Sequence, residues 1–89
     1  MNEPTYDYFA CVEVKTDVQC KTFVEAEIIA CLKAAGYDAT IDPEEGEYEV
    51  IDRVWQGHIT LGQKPHEKIC DEGYLELEDD MVSISIELP

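Results

Sequence analysis

Four cysteines and two histidines are the residues of this 89-residue chain best suited to metal or redox chemistry, and their spacing sets what they can do. Cys11, Cys20, Cys31 and Cys70 contain no C-x-x-C pair, the spacing that local zinc and dithiol sites use. His66 and Cys70 stand four apart, which suits one helical turn, but no second pair follows at ligand spacing. Cys31 falls on an apolar helical stripe, where a buried thiol is commonplace. Nucleophilic catalysis needs a base beside Cys or Ser and a third group to orient it. Nothing around His58 or His66 has that form, and there is no glycine-rich phosphate loop. The sequence therefore implies no enzyme, no metal and no cofactor.

Carboxylates are the other candidate chemistry. Residues 42 to 52, DPEEGEYEVID, hold six in eleven positions, interleaved with Tyr48, Val50 and Ile51. A second group, Glu76, Glu78, Asp79 and Asp80, sits in YLELEDD. Paired carboxylates serve acid–base catalysis when their environments separate their pKa values. Where they are this abundant the pairing carries no specificity.

Charge narrows the function further. The chain carries 21 acidic against 6 basic residues, a net of −15. Such a field repels nucleic acid and anionic membranes and attracts basic surfaces. It also exceeds the roughly 2–8 charges that solubility asks of a small domain. An apolar content of 45% is enough for a core and argues against disorder. Halophilic adaptation would account for acidity, but four cysteines and five lysines in so short a chain speak against it. The N-terminus, MNEPTYDYFACVEV, has neither a basic leader region nor a long apolar segment, so a cytoplasmic protein with reduced thiols is expected.

The length suits one globular domain spanning residues 1–89. Tyr6, Tyr8, Ala10, Val12 and Val14 alternate with Asp7 and Glu13, which reads as a half-buried strand. Thr22 with Glu25 reads as a capping box opening a helix over 23–35, with Gly36 as its left-handed stop. Residues 37–41 read as a returning strand. Asp42-Pro43-Glu44-Glu45-Gly46 fits either a helix start or a turn; the even spacing of Tyr48, Val50 and Val54 favours a hairpin turn between strands. Gln56-Gly57 reads as a further turn into His58–Leu61, followed by a loop over 62–73. Finally, Leu75 and Leu77 alternate up to Asp79-Asp80, and Val82, Ile84, Ile86 and Leu88 alternate beyond it. A two-residue turn there pairs Leu77 with Val82 and Leu75 with Ile84. The expected fold is α+β: an antiparallel sheet of about five strands with one helix packed on one face. Trp55 and Tyr48 read as core, with an outward interface placement as the alternative.

The uncovered face then carries the charge. Alternate outward residues on a strand are about 6.6–6.8 Å apart, so Glu47/Glu49 and Glu76/Glu78 would form rows resembling the interval between phosphates along a nucleic-acid strand. In size and charge the chain, above all DPEEGEYEVID and YLELEDD, resembles phage-encoded inhibitors of bacterial defence: anti-CRISPR and DNA-mimicking anti-restriction proteins. The resemblance implies a non-enzymatic inhibitor acting in the bacterial cytoplasm. Its partner would be a basic nucleic-acid-handling complex, a CRISPR effector or restriction enzyme, whose access to DNA it blocks. The partner-binding set it implies is Glu44, Glu45, Glu47, Glu49, Asp52, Glu76, Glu78, Asp79 and Asp80, with no direct nucleic acid or membrane contact. The rival expectation is an adaptor that binds through a hydrophobic groove or sheet edge, its charge serving solubility alone.

Overall fold

The computed structural model describes residues 5–78 and 81–88. Alternation in the first strand is realised: β1 (Tyr6–Val14) buries Ala10, Val12 and Val14 and exposes Asp7 and Glu13. After a connection comes the helix α1 (Lys21–Ala34), which buries Val24, Ile28 and Leu32, positions one helical turn apart. It starts two residues earlier than expected. Thr22 and Glu25 do not form a capping box: the N-cap is Cys20, with no side-chain cap. Glu25 is instead drawn beneath the sheet's tryptophan.

The end of α1 matches expectation. Gly36 has φ +97°, its N–H donates to the Lys33 carbonyl and the Tyr37 N–H to that of Leu32, both at 3.0 Å. That double bond pattern is a Schellman cap. It turns Tyr37 into the core and delivers the chain to the sheet.

Six further strands follow: β2 (Ala39–Ile41), β3 (Glu47–Glu49), β4 (Val54–Leu61), β5 (Lys68–Cys70), β6 (Gly73–Glu78) and β7 (Met81–Leu88). They form one sheet in the order β2-β4-β1-β7-β6-β5, with β3 also paired to β4. The fold is α+β with one helix, but the expected antiparallel sheet of about five strands is corrected on two counts. Among the described residues there are seven strands, and β1 pairs with β7 in parallel. The pairing sets Ala10, Val12 and Val14 opposite Ile84, Ile86 and Leu88, so the two apolar faces coincide in one register.

Two expected turns are also corrected. The 42–46 turn joins no hairpin: β2 pairs with the end of β4 and β3 with its beginning, both antiparallel, so they lie in line along one edge. The hairpin is formed one step later, by β3 and β4 around residues 50–53, where Arg53 takes φ +58°. Gln56-Gly57 is no turn either, for β4 runs straight through it. Gly57 is there because the Trp55 ring folds over it: a Cβ at Gly57 would meet that ring at 2.8 Å.

The C-terminal hairpin has the expected register, Leu77 with Val82 and Leu75 with Ile84. Its expected turn, Asp79-Asp80, lies outside the described residues. The loop foreseen over 62–73 contains the short strand β5. Between α1 and the sheet lies the core, with Trp55, Ile28, Leu32, Ile59 and Leu61 fully buried. Among the described residues, no helix covers the opposite face of the sheet.

Candidate functional site

The segment Asp42–Asp52 wraps the outer edge of β4. Asp42 organises the turn twice: its carboxylate accepts the Glu44 N–H at 3.0 Å and its carbonyl accepts the Glu45 N–H at 3.1 Å. This is the Asx arrangement that makes Asp effective at turn starts. The turn is fastened to the helix from below, where Lys21 Nζ donates to the Pro43 carbonyl. Gly46 lies against buried groups, since a Cβ there would stand 2.7 Å from both Glu25 Oε2 and the Trp55 ring. Trp55 in turn donates its indole N–H to Glu25 at 3.1 Å, and Lys21 Nζ lies 4.0 Å from the same carboxylate. Glu25, Trp55, Gly46 and Lys21 thus form a pin that fixes the acidic turn relative to the core.

The pin leaves the carboxylates outside. Glu44, Glu45, Glu47, Glu49 and Asp52 are all exposed, while Tyr48 between them points inward and its hydroxyl donates to the Val18 carbonyl at 2.6 Å. Among the described residues, the one basic group within pairing distance of these five carboxylates is His58, whose Nδ1 lies 4.0 Å from Glu45 and forms an ion pair with it only when protonated. Arg53, the cation nearest in sequence, turns away and donates to the Lys15 carbonyl at 3.2 Å. Trp55 and Tyr48 take the core placements, not the interface ones.

Glu76 lies on the same uncovered face and accepts a hydrogen bond from the Ser85 hydroxyl at 3.3 Å. Glu78 ends β6, opposite Met81, and Asp79 and Asp80 fall outside the described residues. The two expected rows are not neighbours: four strand steps separate β3 from β6, about 19 Å. A rung the sequence reading missed extends the first row across the sheet, though it ends on β7 without reaching Glu76 or Glu78. Pairing aligns Glu49, Val54, Glu13 and Glu87 across β3, β4, β1 and β7. Glu13 and Glu87 are thereby direct neighbours, and like charges so placed destabilise a sheet. Lys15, 3.8 Å from Glu87, offsets part of this. Alternation marked Glu13 as outward, but only the parallel β1–β7 register reveals the pair.

Exposed apolar groups accompany the acids. Ile51, at the tip of the β3–β4 hairpin, is 92% exposed, and Val50 beside it is also exposed. On the helix side, Ala26, Ile29, Ala39, Ile41 and Pro43 line an open groove of about 500 Å³ between α1 and β2.

The cysteines are arranged otherwise than their spacing implied. All four are free thiols. His66 does not join Cys70; its backbone N–H donates to the Tyr37 hydroxyl at 3.0 Å. Cys70 instead meets Cys31, with the sulfurs 2.8 Å apart, and Cys31 Sγ lies 3.6 Å from Glu72 Oε2. Among the described residues this is the one cluster whose donor atoms converge enough to hold a metal ion. Burial pushes the Cys31 thiol well above the ordinary thiol range, and the neighbouring Cys70 and Glu72 push it further the same way. No spacing rule in the sequence signals this cluster, because its members come together only through the packing of α1 on β5.

No family model matches the chain, and neither a curated protein nor a solved structure does. Among the described residues, no helix is long and apolar enough to cross a membrane.

Proposed function

We propose that the protein is a non-enzymatic inhibitor, anti-CRISPR-like in mode, that binds a basic nucleic-acid-handling protein through its acidic face and so excludes DNA. The observation that carries this reading is the acidic edge itself: five exposed carboxylates on one pinned turn and hairpin, of which only Glu45 has an ion-pair partner among the described residues. Rigid, unpaired carboxylates suit a partner whose own lysines and arginines are placed for phosphates. Fixing them in advance lowers the ordering cost of association. The Glu49–Glu13–Glu87 rung extends the same field across the open face. Asp79 and Asp80 belong to the proposed set on sequence grounds.

A second reading rests on Ile51. A nearly fully exposed isoleucine at a hairpin tip is suited to fill an apolar pocket, as an adaptor would. The groove between α1 and β2 serves the same reading. Addition of a strand at the sheet edge is the least suited route, because the edges are made by β2, β3 and β5, each three residues long. Short edges resist such pairing.

The test is a pull-down from bacterial lysate at low and high salt, using the wild type and a Glu47→Lys/Glu49→Lys variant, with bound proteins identified by mass spectrometry. The expected result is capture of a nucleic-acid-handling protein that is lost at high salt and lost with the reversals, because screening acts on exposed charge pairs. A partner retained at high salt but lost on Ile51→Ser would replace this reading with the adaptor.

A further inference from the structure

We propose that Cys31, Cys70 and Glu72 form a binding site for one soft divalent cation, zinc above all, with a fourth coordination position open to the cavity beside them. The inference is independent of the acidic-face reading. Three donors arrive from three places: the last turns of α1, the end of β5 and the tight turn between β5 and β6. Every pair of donor atoms lies within 4.8 Å. In a tetrahedral zinc site with metal–sulfur bonds of about 2.3 Å, neighbouring ligand atoms stand about 3.7 Å apart. The 3.6 Å between Cys31 Sγ and Glu72 Oε2 already matches, and the 2.8 Å between the sulfurs opens to that value by small side-chain rotations.

The surroundings leave room for a metal ion and a further ligand. Ala34, Ala35, Lys68, Ile69 and Asp71 complete the wall of a cavity of about 350 Å³ over the cluster, which leaves room for a water or an added ligand in the fourth position. Lys68, the cation on that wall, is paired with Asp71 at 3.7 Å. Two sulfurs and one carboxylate select zinc-like ions over magnesium or calcium, which prefer oxygen alone. On binding, each thiol releases its proton to solvent and exchanges an S–H bond for an S–metal bond; no electron is transferred. Because two thiol protons are displaced, uptake strengthens with rising pH. The bound ion would staple the helix to β5, a three-residue strand at the end of the sheet order.

The experiment uses full-length protein, reduced and freed of metal with a chelator, then titrated with cobalt(II) and afterwards with zinc(II). Expected are one equivalent of cobalt with a thiolate-to-metal charge-transfer band, its displacement by zinc, and a raised melting temperature. Cys31→Ser and Cys70→Ser should abolish the band. Glu72→Gln, on an exposed turn where folding is not at risk, should weaken binding at least about tenfold. Cys20→Ser should bind as the wild type does. Cobalt uptake without a charge-transfer band would show adventitious binding to surface carboxylates and overturn the proposal. So would a reduced protein that takes up no metal and closes a Cys31–Cys70 disulfide on exposure to oxygen.

Discussion

At the scale of single residues, the position of the acidic turn depends on a glycine that the sequence shows only as a turn signal. Gly46 lies where the turn crosses over the buried edge of Trp55, and Glu25 Oε2 closes the space beside it. Neither neighbour yields readily: Trp55 is fully buried, and the Glu25 carboxylate accepts its indole N–H. Gly46→Ala should therefore lower stability by about 1–3 kcal/mol, the usual cost of forcing extra volume into a packed site. Urea denaturation followed by fluorescence measures this directly, because Trp55 is the sole tryptophan and sits at the point of strain. A midpoint equal to that of the wild type would mean that the turn is not pinned there. The carboxylates of Glu44 and Glu45 would then be free to adapt to a partner instead of being preset for it.

At the scale of elements, segments that carry their own apolar period declared themselves, and the pairings closed over long stretches of chain did not. β1 and α1 show their periods outright, and the register of the β6–β7 hairpin follows from matching apolar faces across a turn. Gly36 is the clearest local signal, and it leads to a prediction. Its φ of +97° is one that side chains resist, yet a Cβ there would meet nothing within 4 Å. Gly36→Ala should cost about 1 kcal/mol through backbone strain alone, and Gly36→Asn less, because Asn tolerates the left-handed region. The check is a lower urea midpoint at unchanged slope, since no surface burial is altered. The β1–β7 parallel pair and the pairing of β2 with the far end of β4 were not legible, for both depend on contacts closed over longer stretches of chain. The β3–β4 hairpin is local, but its turn at 50–53 carries no Gly or Pro to announce it. The thiol cluster fails for the first of these reasons: Cys31 and Cys70 are 39 residues apart. The acidic face was legible in composition and its exposed turn residues were correctly assigned to the surface. The pairing of Glu13 with Glu87 required the parallel register.

At the scale of the whole molecule, a net charge of −15 acts on a body of about 40 × 28 × 23 Å. The screening length is about 8 Å at physiological ionic strength and about 30 Å at 0.01 M. At low salt the carboxylates of the open face and hairpin therefore repel one another across the entire domain, and the folded state bears that repulsion more than the unfolded one does. Added salt should raise the melting temperature. Reversing Glu47 and Glu49 to lysine should raise it at low salt as well, by roughly 0.5 kcal/mol or more, about 2–4 °C for a domain of this size. The same variant is expected to lose its partner. Stability and binding are thus expected to move in opposite directions, which distinguishes a surface shaped for a basic partner from one shaped for the fold. Thermal melts of both proteins at 0.01 M and 0.15 M salt decide the matter. A reversed variant that melts lower at 0.01 M would show that Glu47 and Glu49 support the hairpin structurally, and the acidic edge would lose its standing as a docking surface.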